Sequence, residues 1–217
     1  MPTISIGFEW PRGRDYEIVE PDLPRSERDP FAKTIDEPHI RQVGPNERER
    51  PARRPLEISP SLHLDFAKLR HSREDCLRFA RSWGLLRTYA QPGAQEPLSR
   101  WFKEIDRMKA SVGGLRRAFE EKVIPKPGFL ITELDVILVP GKPDGRLALS
   151  LRPKVLVDAM RVQLAQSIAG GNEISVCEVC GSWFEKGGRG GDAKRSIARF
   201  CSDKCRNQFH NERRASK

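Results

Sequence analysis

The 217-residue chain has no apolar run longer than the four residues Val136-Ile137-Leu138-Val139, far short of the roughly 20 that cross a bilayer. Its start, Met1-Pro2-Thr3-Ile4-Ser5-Ile6, lacks the basic flank and apolar stretch of a secretion signal. Both absences lead to the expectation of a cytoplasmic chain with no membrane partner. Histidine is scarce as well. His39, His63 and His71 fall in unrelated segments, without a histidine-carboxylate constellation or a phosphate-binding glycine loop, so the chain is not expected to be an enzyme. Aromatics make up 7 % of residues and hydrophobics 37 %, against 32 % charged, which leaves material for a modest core. No repeat recurs at solenoid spacing.

Positive charge is in excess, with 39 Lys and Arg facing 30 Asp and Glu for a formal charge of +9. Such a surplus suits a polyanionic partner, but its position along the chain matters more than its total. The second surplus is local. Four of the five cysteines form two tight pairs, Cys177-Glu-Val-Cys180 and Cys201-Ser-Asp-Lys-Cys205, with 20 residues between the pairs. Each short pair can turn two thiolates toward one ion, and four sulfurs fill a tetrahedral zinc shell with no position left for substrate. The reading is therefore a structural Zn2+ site. The alternatives are two disulfides, which suit a secreted chain, a thioredoxin-like pair, which suits a parallel βαβ pattern, or another soft metal. Neither the secreted nor the βαβ context is present. Cys76, in a helical pattern far upstream, reads as a small core residue.

The sequence divides into three parts. Residues 1–60 carry closely spaced prolines among Arg, Glu and Asp, and this region reads as extended or disordered because it holds too few apolar residues to offset its ordering entropy. Phe8, Trp10, Tyr16 and Phe31 can still pin pieces of it to a folded body, and the run from Arg48 to Arg54 reads as a solvated linker before a nucleic-acid contact. Residues 61–171 read as a helical domain. Ser72-Arg73-Glu74-Asp75 resembles a capping box ahead of Cys76, Phe79, Ala80 and Trp83, and Gly84 stops that helix. A second helix starts near Pro97 with Leu98, Trp101, Ile105 and Met108 as its stripe, and Gly113-Gly114 is expected to interrupt or split it. A β-hairpin over 129–151 turns at Pro140-Gly141-Lys142-Pro143-Asp144-Gly145. Pro153 then opens a helix ending at Gly170-Gly171.

Residues 172–217 form the cysteine module. Ile174-Ser175-Val176 reads as a strand into the first pair, Gly181 permits a tight turn, and Trp183 and Phe184 supply a small core. Ser202 caps a helix that carries Cys205, with Phe209 on the same face, which makes a treble-clef arrangement of knuckle, hairpin and ligand-bearing helix. On another face stand Arg206, His210 and Arg213, with Arg214 alongside. Arg contacts phosphate and reads guanine edges, so this stripe is the candidate DNA surface. A protein-docking face, or a helix end whose Arg213 and Arg214 complement the dipole, are the alternatives. The spacer Lys186-Gly187-Gly188-Arg189-Gly190-Gly191-Asp192 reads as a plain basic loop.

At Cys177-x2-Cys180-Gly181-x2-Phe184, at Arg199-Phe200-Cys201-Ser202-x2-Cys205-Arg206-Asn207 and at Arg213-Arg214, the chain resembles CGNR-type zinc-finger proteins. More broadly it is similar to related treble-clef proteins. Phe79-Ala80-Arg81-Ser82-Trp83-Gly84-Leu85-Leu86 and Trp101 look similar to the helical part of that class, whereas Cys205 runs directly into Arg206-Asn207 without the naming Cys-Gly-Asn-Arg. The resemblance implies a bacterial transcription regulator with the four cysteines as zinc ligands. The fold class expected is mainly α with one β-hairpin and a C-terminal treble-clef-like zinc finger. Its function is expected to be DNA binding, with a possible homodimer or protein partner; a zinc-stabilised protein-interaction module without nucleic acid is the alternative.

Overall fold

The computed structural model describes residues 4–6, 8, 10, 13–21, 37–46, 58–59, 61–88, 91, 93–121, 134–140, 147–187 and 197–215. Helices hold more of these residues than strands do, and the strand pairs are small and mostly antiparallel. Strand β1 (Ile4–Ile6), β2 (Gly13–Val19) and β3 (His39–Asn46) precede the short helix α1 (Leu62–Ala67) and α2 (Arg73–Trp83). Then follow β4 (Gln95–Pro97), α3 (Leu98–Glu121), β5 (Leu134–Pro140), β6 (Leu147–Pro153) and α4 (Leu156–Ala169). The chain ends in β7 (Glu173–Val176), β8 (Trp183–Lys186) and α5 (Asp203–Ala215). No helix among the described residues is long and apolar enough to cross a membrane.

Three strands lie within the stretch expected to be extended or disordered, and Phe8, Trp10 and Tyr16, the residues expected to pin it to the folded body, are buried. β2 pairs antiparallel with β3, β3 with β4, and β1 runs parallel to β6. Trp10, Tyr16 and Ile40 are fully buried in the main core, joined by Phe8. Composition underrated this segment because its burial is supplied by the helical body. In β3 Ile40 and Gln42 point inward while Arg41 and Val43 point out, the period-two pattern of a strand laid on a surface. Trp10 Nε1 donates to the Leu85 carbonyl at 3.1 Å, and Arg81 donates to the Tyr16 carbonyl at 3.1 Å, so side chains fasten these strands to the end of α2. Phe31 and the run from Arg48 to Arg54 lie outside the described residues.

Helix α2 starts as its sequence predicts. Ser72 Oγ accepts from the Asp75 amide at 3.2 Å, and Gly84 stops the helix at φ 96°. Arg70, with Arg78 beyond it, holds the Asp75 carboxyl down at about 2. Phe79 and Ala80 face inward, and the Phe79 ring meets Phe66 at 5.1 Å and Trp101 at 6.1 Å. Cys76 is a fully buried core residue whose thiol burial pushes up to about 12.

The expected break at Gly113-Gly114 is absent: α3 is continuous over 24 residues. Its inward stripe runs through Trp101, Ile105, Met108, Val112 and Leu115, spanning the glycines. A helical glycine costs about 1 kcal/mol relative to alanine, less than burial of one large apolar side chain contributes. The hairpin is present as β5 against β6, pairing Leu134 with Pro153 through Pro140 with Leu147. Positions 129–133 and 141–146 of the expected hairpin lie outside the described residues. Pro153 closes β6 rather than opening a helix; α4 starts at Leu156, after an extended Val155. With the β2-β3-β4 sheet added, β structure exceeds the single hairpin expected.

Candidate metal centre

Helix α4 ends at Gly170, Gly171 turns the chain at φ 76°, and β7 begins two residues later. The antiparallel pair β7 and β8 sets Ile174 opposite Glu185 and Ser175 opposite Phe184. Adjacent strand residues face opposite ways. Trp183 packs on the main core with Ile174, whereas Phe184 is buried with Cys177 and Cys205. The expectation that Trp183 and Phe184 share one small core is therefore corrected: β8 has one face in each.

Between the strands the chain folds into a knuckle. The Gly181 amide donates to the Cys177 carbonyl at 2.9 Å, and the Cys177 amide to the Ser182 carbonyl at 2.9 Å. Gly181 adopts φ 69°, a conformation that costs glycine nothing. The second pair is fixed by α5. Ser202 Oγ accepts from the Cys205 amide at 3.3 Å, and the Ser202 carbonyl accepts from the Arg206 amide at 3.1 Å, so Ser202 caps the helix as its sequence predicts. The Glu178 amide donates to the Arg199 carbonyl at 3.2 Å while the Arg199 guanidinium pairs with the Glu178 carboxylate, clamping the two half-sites together.

These elements bring Cys177, Cys180, Cys201 and Cys205 together with all four sulfurs within 4.8 Å of one another. Cys180 Sγ lies 3.5 Å and Cys205 Sγ 3.7 Å from Cys201 Sγ. A tetrahedron with metal–sulfur bonds of about 2.3 Å has edges of about 3.8 Å. The cluster thus fits a four-thiolate metal ion. All five cysteines are free, and these separations exceed the roughly 2.05 Å of a disulfide.

The local field prepares thiolates unevenly. Hydrogen bonds from the Ser182 hydroxyl and amide bring Cys180 down to about 6. At Cys177 burial pushes the thiol up, but the amides of Cys180, Cys201 and Val179 outweigh it and the net direction is down. Burial and the neighbouring thiols push Cys201 up to about 12. Four thiols this close cannot all ionise unaided; a divalent cation among them removes that obstacle and displaces the remaining protons.

Arg206, His210, Arg213 and Arg214 stand exposed along α5, with Asn207 and Asn211 beside them. Arg206 pairs with Asp203 at 3.4 Å. Phe209 is half-buried and meets the Phe200 ring at 5.1 Å, with the Arg199 guanidinium over both rings. It reaches the cysteine cluster through Phe200, which packs on it. Ile197, Ala198, Phe200, Ser202, Asp203 and Arg206 line a groove of about 390 Å³ at the start of this helix. Sequence reasoning missed the Ser182 bonds to Cys180 and the Glu178–Arg199 clamp. A hydroxyl two residues after a ligand is a usable signal; a pair 21 residues apart is not. The spacer positions 188–196 lie outside the described residues.

Comparison with known proteins leaves the geometry to speak alone. No family model, curated protein or solved structure matches the chain.

Proposed function

We propose that the chain is a zinc protein of treble-clef type that binds duplex DNA in bacterial transcription regulation, through the exposed face of α5. One observation carries the reading: the buried ligand Cys205 and the exposed Arg206, His210, Arg213 and Arg214 share one helix, so the metal fixes the orientation of a basic face. Knuckle, hairpin and ligand-bearing helix follow one another as in a treble clef. Four thiolates at tetrahedral spacing favour zinc, which has no preferred geometry of its own to impose. From Lys186 onward ten Lys or Arg face three acids, and zinc with four thiolates subtracts two charges, so the module stays basic. The resemblance to CGNR-type proteins at both cysteine pairs points the same way.

Titration of duplex DNA into the metal-loaded chain across a salt series tests this. About four phosphate contacts give a log-log slope near −3.6, and Arg213→Ala lowers its magnitude by about 0.9. Absent or salt-independent binding overturns the reading. The groove favours a second one, a protein-docking module, because Ile197 stands 83 % exposed beside Phe200 and Asp203. Its mark is a protein recovered with the chain, lost on Cys201→Ser, with no nucleic acid copurifying.

A further inference from the structure

His63, at the start of α1, is fully buried, and both of its ring nitrogens face oxygen atoms. On one side stands Gln163 of α4. Its Nε2 donates to the Ser59 carbonyl at 2.7 Å and its Oε1 accepts from the His63 amide at 3.1 Å, which fixes the orientation of the amide. That same Oε1 lies 3.0 Å from His63 Nδ1, so Nδ1 carries a proton and donates. On the other side His63 Nε2 lies 3.1 Å from Glu185 Oε1. Glu185 belongs to β8, the strand whose opposite face supports the cysteines. Asn172 donates to its second oxygen at 2.6 Å, and the Ser167 hydroxyl lies beside the carboxylate.

With Nδ1 already protonated, a neutral ring presents a bare Nε2 lone pair to a carboxylate. Two acceptors in buried contact repel, and neither is solvated. The two atoms stand at ion-pair distance but outside hydrogen-bond alignment, and neither has another hydrogen-bond partner, so the contact turns attractive when the ring takes up a second proton and becomes a cation. Other charged groups on the surrounding elements close on different partners: Asp65 with Lys68 on α1, Asp158 of α4 and Glu104 of α3 with Arg161, Asp106 of α3 with His71, and Glu173 with Lys186 across the hairpin.

We propose that His63 and Glu185 form a one-proton latch between the helical body and the cysteine-bearing hairpin, closed while the pair holds one proton and loosened when that proton leaves. Burial pushes the Glu185 carboxyl up, but His63, Ser167 and Asn172 outweigh it and hold it below the usual range. The pH window follows from the open state, where an exposed imidazole gives up its proton near about 6.5 and a glutamate near about 4.3. Between these values the open pair already holds one proton. Above about 6.5 closing must take a proton up, and closure weakens by up to about tenfold per pH unit. Below about 4.3 closing must expel one and weakens again.

Hydrogen exchange of the full chain between pH 6 and 8.5, corrected for intrinsic amide rates, reads the latch through residues 173–187. Protection there is expected to fall with rising pH by several-fold to tenfold per unit. In Glu185→Gln the new amide donates to a neutral Nε2 and its oxygen still accepts from Asn172, so protection becomes independent of pH above about 6.5. Metal binding by thiols strengthens with rising pH, the opposite sign, and cannot mimic the effect. A flat wild-type profile, or an equal slope in Glu185→Gln, overturns the proposal. Nitrogen chemical shifts of the His63 ring give a readout that needs no variant: both nitrogens protonated at pH 7 support the latch, and a neutral ring overturns it.

Discussion

Removing the metal should melt one end of this protein and spare the other. Among the described residues the main core runs from Phe8 to Ile174, whereas the buried part of the cysteine cluster is only Cys177, Phe184 and Cys205. Burying so few side chains contributes a few kcal/mol at most, and α5, at 13 residues, is marginal as an isolated helix. A structural zinc site supplies about 10–16 kcal/mol of apparent binding energy, several times what the cluster's packing offers. Treating the chain with a strong chelator should release one zinc equivalent and cut helical circular dichroism by the share of α5. Amide protection should collapse across 197–215 and hold across α3. Protection of α5 that survives chelation, or collapse of α3 together with α5, refutes the division of labour between metal and core.

Glu96 is fully buried and accepts from the amides of Leu86 at 2.9 Å and of Arg87 and Thr88 at 2.6 Å. Glu96→Gln sets an NH2 group against part of that nest and should cost about 2–4 kcal/mol in urea unfolding; a change under about 0.5 kcal/mol contradicts the account. Asp75→Asn should cost about 1–2 kcal/mol at neutral pH after discounting the exposed Arg70. Because the folded carboxyl is depressed to about 2, this stability is present above about 4 and lost as pH falls toward 2, so variant and wild type should converge there. Trp10→Ala should cost about 3–5 kcal/mol and release the N-terminal strands to proteolysis while the helices persist.

The four-cysteine cluster was legible because its information is local: two spacings, a glycine after the first pair and a capping serine before the last cysteine. Helix α2 was legible for the same reason, with cap, stripe and stop inside 13 residues. What escaped is non-local. The N-terminal strands bury Tyr16 and Ile40 against helices that follow them by dozens of residues, and composition of their own segment carries no sign of that surface. Gly113-Gly114 misled because local propensity was weighed without the packing of Val112 and Leu115 on either side. Trp183 and Phe184 are neighbours in sequence, and only the main core behind β8 separates their surroundings, which their own segment does not signal.

Strand β1 pairs Ile4 with Leu149 and Ile6 with Leu151, so it leaves a ribosome about 145 residues ahead of its partner. At roughly 5–20 residues per second, β1 waits about 7–29 s for β6 to be synthesised. The order of synthesis couples closure of the N-terminal edge to the arrival of the hairpin just upstream of α4.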